Sequence, residues 1–330
     1  MISLSELGNT LRSYKNVLLA THIAPDPDAL GSCFGLALGL KAAGVSVTAY
    51  CADGLLERMS GLFSGIPVAQ TLPDRTFDAL VVVDTAAKSR VAGASAELYS
   101  RADVVVNIDH HISNPGWGDV NYIDTTSPAS ALIVFELLQA MQLEVDSQMA
   151  SLLFAGLIDD TGCFRFSNTS ARALRVAAQM VDAGAVPQLV ANSLYFNVPL
   201  RVLKLRSEAM SGLRLVCQGA IALVTAPKSL LEACGAAVED TEGIVDEARL
   251  VEGTVGAVFI RELSDGWKCS LRAKDERLDV NSVAGKFGGG GHKAAAGCKI
   301  LGKREDVESQ ILAELELSLI AGGLLKSSSS

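Results

Sequence analysis

The first half of the chain is punctuated by short apolar runs, each followed by a polar turn and a helix-like segment. Residues 3–15 read as an opening helix, with Ser3 as N-cap and Glu6 three residues later. Asn16–Ala20 (NVLLA) reads as a buried strand that ends in Thr21-His22. APDPD follows, and then a helix over about 29–43. Val45–Tyr50, Ala79–Val83 and Val104–Ile108 read as three more strands. The last two end at Asp84 and at Asp109-His110-His111. Pro128–Gln142 and Ser147–Ile158 carry helical periodicity. Apolar strands alternating with helices predict a parallel sheet with helices on both faces. Ligands on such sheets bind beyond the carboxyl ends of the strands. That rule alone places His22, Asp84 and Asp109–His111 on one sheet edge.

The pattern changes over about 185–212, which reads as helices and turns joining two units. Strands follow at about 213–217, 220–225, 254–260 and 268–273, then the run Gly288–Gly291 with His292, a strand after KAAAG, and a helix over roughly 303–321. The expected organisation is a parallel-sheet domain over 1–187, a helical linker over 188–212, a smaller mixed α/β domain over 213–322 and a flexible tail over 323–330. No internal repeat is evident.

Composition narrows the function classes. A chain of 330 residues with 49% hydrophobic content is comfortable for two cores. Its net charge of -9 argues against a long-duplex binder, because that binding rests on a broad basic surface. A short anionic ligand held by local cations or metal ions remains compatible. Seven scattered cysteines without a C-x-x-C pair give neither a disulfide framework nor a thiolate zinc site, and fit a reducing cytoplasm. No apolar run approaches the roughly 20 residues of a membrane helix.

Five clusters carry candidate chemistry. His22-x-x-x-Asp26-x-Asp28 sets two carboxylates in a turn stiffened by Pro25 and Pro27. Taken alone it reads equally as a helix start with Asp caps. Asp84 alone would read as a turn residue. Asp109-His110-His111 is less common; Asp109 is placed to fix an imidazole tautomer. Asp159-Asp160 ends an apolar segment, where two acids are costly unless paired or metal-bound. The glycine tetrad lets backbone approach an anion closely, and its helix-forming flanks favour a binding turn over a linker. The protein has only four histidines, 22, 110, 111 and 292, and every one lies in one of these clusters. Asp and His without Cys favour Mn²⁺, with Mg²⁺, Co²⁺ or Zn²⁺ as alternatives. The donors are too many for one ion. They suit two ions about 3.5–4 Å apart that share a carboxylate, activate water and clamp a phosphoryl group.

HIAPDPDALGS, VVVDT, DHH and GLIDDTG, in that order, resemble the four motifs of DHH phosphoesterases. SLRAK at 270–274 and GGGGHKAAAG at 288–297 resemble the DHHA1 domain. Length and motif order are similar to the nanoRNase/pAp-phosphatase branch. The resemblance covers nearly the whole chain. It implies that His22, Asp26 and Asp84 hold one metal, that Asp28, His110 and Asp160 with Asp84 hold the other, and that Asp84 bridges. Asp160, not Asp159, matches the family position before Thr-Gly. His111 would contact the scissile phosphate or protonate the leaving oxygen, with Asp109 behind it. Arg272, Gly288, Gly289, Gly290, Gly291 and His292 would hold substrate, with the active site in the cleft between the domains. Residues 268–293 agree, with Lys268, Arg272, Lys274, Arg277, Lys286 and Lys293 against three acids. The implied substrates are di- to pentanucleotide RNA and 3′-phosphoadenosine 5′-phosphate (pAp). A linear or cyclic dinucleotide phosphodiesterase is the nearest alternative, and a catalytically silent nucleotide sensor is a more distant one. A family II pyrophosphatase would lack GGGGH, and a RecJ-type exonuclease would need a longer chain and a more basic groove. Related proteins are often dimeric, so a homodimer is a further expectation.

Overall fold

The computed structural model describes residues 2–63 and 67–326. The chain divides between Asn197 and Val198 into two units. That boundary lies inside the segment expected as a linker.

The first unit is built on six strands: β1 (Asn16–Ala20), β2 (Ser46–Tyr50), β3 (Val68–Ala69), β4 (Phe77–Val83), β5 (Ala102–Asp109) and β6 (Val120–Ile123). All are parallel, in the order β3-β2-β1-β4-β5-β6. Among the described residues seven α-helices accompany them: α1 (Leu4–Ser13), α2 (Pro27–Ala42), α3 (Ala96–Ser100), α4 (Ser130–Ala140), α5 (Ser147–Asp160), α6 (Ala171–Asp182) and α7 (Pro187–Tyr195). Ser3 and Glu6 form the capping box read from the sequence.

Alternation along the strands sorts the core. Val17, Leu19, Val81 and Val83 face one large cluster with α1, α2, α4 and α5. Leu18, Ala20, Leu80 and Val82 face a smaller one completed by Leu98 of α3, Val91 and Trp117. Strand order reverses between β1 and β4, which makes that pair the switch point where ligands of wound sheets collect.

The second unit starts with α8 (Leu200–Ser211). It continues with β7 (Arg214–Val216), β8 (Ile221–Ala226), α9 (Lys228–Cys234), α10 (Ile244–Ala248), β9 (Gly256–Glu262), β10 (Trp267–Ala273), α11 (Val280–Gly285), β11 (Gly290–His292), β12 (Ala295–Ile300) and α12 (Arg304–Ala321). Its sheet, β11-β12-β10-β9-β8-β7, is mixed: β8 and β9 are parallel and the other pairs antiparallel. Within the expected tail, Leu324 and Leu325 pack on this unit's core, while 327–330 lie outside the described residues. All seven cysteines are free thiols. No helix among the described residues is long and apolar enough to cross a membrane.

Candidate metal centre

The carboxyl edge of the first sheet gathers the predicted donors. His22 follows β1, Asp84 follows β4, and Asp109 ends β5 with His110 and His111 just beyond. Asp26 is the N-cap of α2: its Oδ1 accepts from Ala29 N at 2.9 Å, while its Oδ2 lies 3.6 Å from His22 Nε2. The cap and the donor are therefore the same side chain, used through different oxygens. Pro27 at the first helical position fixes that entry.

Asp28 is fully buried and reaches across to α4. Its two oxygens accept from Ser130 N at 2.7 Å and Ala131 N at 2.9 Å. The N-cap of α4 is Ala129, which offers no capping side chain. Asp28 caps that helix from a neighbouring one, and the helix dipole favours its charge. Gly156 on α5 makes room for it. A Cβ there would stand 2.5 Å from Asp28 Oδ1 and 2.8 Å from Ala131 Cβ. Gly156→Ala is expected to destabilise the protein by about 1–3 kcal/mol through overpacking, read by urea denaturation; unchanged stability would contradict this packing.

Asp84 sits at the centre with φ 58°, a left-handed conformation that Asp tolerates better than most residues. Its amide is held by the Ile108 carbonyl at 2.9 Å. Oδ2 lies 3.5 Å from His22 Nε2, and Oδ1 lies 3.4 Å from His110 Nε2. One carboxylate thus presents a different oxygen to each histidine. Asp160 closes α5, with Oδ2 3.3 Å from His110 Nε2. Asp159 turns instead to the Tyr195 hydroxyl, which donates to it at 3.2 Å.

Each histidine of the edge is oriented through Nδ1. His22 donates to the Ile23 carbonyl at 2.8 Å, His110 to the Ser127 carbonyl at 3.3 Å and His111 to Asp109 Oδ1 at 2.7 Å. For His22 and His110 such acceptors fix the tautomer that turns Nε2 toward Asp84. Asp109 is buried and further held by Asn114 Nδ2 at 2.6 Å. Asn114 also donates to Asn107, and Ser130 Oγ donates to Asp84 Oδ1 at 3.0 Å. Sequence reading passed over Asn107, Asn114 and Ser130. Asn107, a polar residue inside the apolar run of β5, was the one visible signal.

Two donor sets that share no residue result, His22, Asp26 and Asp84, and Asp28, His110 and Asp160; a third grouping, Asp84, Asp109, His110 and His111, overlaps both. Within each set the donor atoms lie within 4.8 Å of one another. Atoms bound at about 2.1 Å to one ion stand roughly 3.0–4.2 Å apart, which brackets the spacings above. Electrostatics point the same way. Burial, then the charges of Asp84 and Asp160, push the Asp28 carboxyl well above its usual range. Burial and Asp84 do the same to Asp160. Burial opposes charging of His22 and His110, yet the surrounding carboxylates outweigh it and hold both imidazoles up to about 10. Asp84, flanked by those histidines, is lowered despite its burial. A cluster that must retain protons to tolerate its own charge suits divalent cations, which replace those protons.

Without metal, the raised His22 and His110 stabilise the fold fully below about pH 6.5, where the unfolded chain is protonated too, and this is lost as pH rises through about 10. Raised Asp28 and Asp160 act in the same direction, because the folded chain keeps protons that the unfolded chain releases. Chelator-treated protein is expected to melt at a lower temperature as pH rises from about 6.5 to about 10, with Mn²⁺ reversing the loss. A Tm that climbs across that window would contradict the proton inventory.

The second unit places Arg272 on β10, with Nε 3.2 Å from Asp246 Oδ1. The glycine tetrad differs from the expected turn, because Gly290–His292 is an edge strand paired with β12. At Gly289 a Cβ would meet Gly297 O at 2.2 Å, so close strand approach demands glycine there. The basic residues grouped by sequence separate in space. Arg277, Lys286 and Lys293 line a cavity of about 470 Å³ beside α11 and α12, whereas Lys268 and Arg272 are on β10.

A wound parallel sheet carries, at its switch point, groups of carboxylate and imidazole side chains close enough together that they could hold metal. The chain matches the DHH family, N-terminal domain, over residues 16–157 and the DHHA1 domain over residues 230–319. It is 33% identical over 291 residues to the bifunctional oligoribonuclease and PAP phosphatase NrnA of Thermus thermophilus, covering 87% of this chain and 84% of that one. It is 29% identical over 317 residues to the protein of the same name from Bacillus subtilis, covering 94% and 97%. An exopolyphosphatase-related protein from Bacteroides fragilis has the same fold, with a TM-score of 0.90, 19% identity and coverage of 96% and 97%. RecJ of Thermus thermophilus in complex with Mn²⁺ is more distant, with a TM-score of 0.52, 15% identity and coverage of 97% and 55%. The chain belongs to the DHH family and carries a DHHA1 domain.

Proposed function

We propose that this protein is a divalent-metal-dependent phosphoesterase that hydrolyses di- to pentanucleotide RNA to mononucleotides and pAp to AMP. The observation that carries this reading is Asp84, whose two oxygens face the two donor sets separately. His22 and Asp26 with Asp84 would hold one ion, and Asp28, His110 and Asp160 with Asp84 would hold the other. Carboxylate and imidazole donors without thiolate favour Mn²⁺. Bound there, two ions supply an activated water and neutralise charge on the phosphoryl oxygens.

The chain's own residues supply orientation and protons. His111 is partly exposed and held through Nδ1 by Asp109, and in this reading its imidazole contacts the scissile phosphate or protonates the leaving oxygen. Arg272, the Gly288–Gly291 backbone and His292 bind phosphate groups of the substrate. Relatives named for oligoribonuclease and PAP phosphatase activity support the substrate class. A net charge of -9 supports short RNA over long duplex. A cytoplasmic location and a homodimer complete the reading.

Asp109→Asn tests the role of His111. An amide can donate to Nδ1 and so favour the wrong tautomer. Turnover is expected to fall by about 10–100-fold, as for other residues that orient a site from behind, while Mn²⁺ content is unchanged. Steady-state kinetics with metal analysis decides it, and normal turnover would remove His111 from the chemistry.

A further inference from the structure

One face of the second sheet is only half covered within its unit. Helices α8, α9 and α10 pack Leu205, Leu231 and Ile244 over β8 and β9. On the opposite face, α11 and α12 cover the alternate residues of β10 and β12, including Cys269, Leu271 and Cys298. The remaining positions of β10 and β12, among them Lys268, Ser270, Gly297 and Lys299, are half-buried or exposed.

A row of three cations crosses this face in register. Arg261 on β9 lies opposite Lys268 on β10, and Lys268 lies opposite Lys299 on β12. Like charges directly opposite destabilise an antiparallel pair. Lys299 has a counter-charge in Asp265 Oδ2 at 2.7 Å. Arg261 is 8% exposed, and burial lowers its pKa although Glu239 opposes this. The Arg261 and Lys268 backbones pair in the sheet, and among the described residues neither the Arg261 nor the Lys268 side chain makes a hydrogen bond or ion pair. A largely buried arginine with Glu239 as its counter-charge, set beside two further cations, concentrates positive charge that an anionic ligand would offset.

Arg272 lies on the same strand face, four residues along β10 from Lys268, which is about 13 Å at the rise of a strand. Between them the face carries the small residues Ser270 and Gly297.

We propose that Arg261, Lys268 and Lys299 form a distal phosphate subsite for the longer of the short RNAs. This rests on Arg272 as a substrate-binding residue. An extended phosphodiester backbone spans the gap from Arg272 in roughly two nucleotide steps. The subsite therefore engages a tri- to pentanucleotide and is out of reach of a dinucleotide or pAp. It sets length preference through binding, and KM carries the effect.

The test compares kcat/KM for a pentaribonucleotide and a diribonucleotide, with Mn²⁺, in wild type, Lys268→Ala and the Lys268→Ala/Lys299→Ala double variant. The pentamer-to-dimer ratio is expected to fall roughly fivefold in the single variant and further in the double. The salt dependence of the pentamer KM is expected to flatten by about one phosphate contact. Lys268 is exposed and opposed by like charges, so Tm is expected to hold or rise. A wild type that cleaves both RNAs, with a ratio that neither variant moves, overturns the subsite alone. A wild type that cleaves neither overturns the proposed function and the subsite with it.

Discussion

Asp84→Asn is expected to lower kcat on short RNA and pAp by on the order of 10³-fold or more, with the fold retained. The substitution keeps the side-chain shape. Asn tolerates the left-handed backbone at φ 58° as Asp does. Its carbonyl oxygen can still accept from Ser130 Oγ, which lies 3.0 Å from Oδ1. What it loses is the second anionic oxygen. Oδ1 faces His110 and Oδ2 faces His22, so an amide can serve one donor set as an acceptor and turns an NH₂ toward the other. Metal content is expected to drop below two Mn²⁺ per chain together with activity. Near-normal turnover in a folded Asp84→Asn protein would sink the shared-carboxylate assignment.

Arg272→Ala is expected to act on a different step. A charge-assisted contact to phosphate contributes about 1.5–3 kcal/mol, so kcat/KM should fall by roughly 10–150-fold. Metal content should stay unchanged, because no donor of either set lies in the second unit. Arg272 is held by Asp246 Oδ1 at 3.2 Å and by the Leu271 carbonyl at 3.1 Å, a light tether that leaves its guanidinium available to an anion. Asp246 is also 3.3 Å from Arg249, so the truncation leaves it a cationic partner. Loss of Mn²⁺ in Arg272→Ala would mean that the residue supports the fold or the metals rather than the substrate.

Much of this was legible in the sequence, for a physical reason. Strands buried on both faces read as apolar runs, and their ends are marked where apolar gives way to Asp or His. NVLLA, ALVVV and VVVNI therefore placed His22, Asp84 and Asp109 on one edge before any contact was known. The choice between Asp159 and Asp160 rested on the Thr-Gly that follows. The structure turns Asp159 to Tyr195 and Asp160 to His110. What sequence could not show was long-range capping. The α4 N-terminus is served by Asp28, about a hundred positions earlier, and nothing local to Ala129 announces it. The short strands β3, β6 and β11 also escaped, because two to four residues carry too little periodicity. Glycines 288–291 read as a binding turn, and the strand that begins at Gly290 went unseen because glycines have no side-chain alternation to detect.

The most direct test is hydrolysis of a 5′-labelled diribonucleotide by the purified full chain, with Mn²⁺ and with chelator, and with pyrophosphate and a long RNA alongside. Release of mononucleotides that requires Mn²⁺, with little action on the other two, is the expected result. A folded, Mn²⁺-loaded protein that leaves both the diribonucleotide and pAp intact would contradict the proposed function.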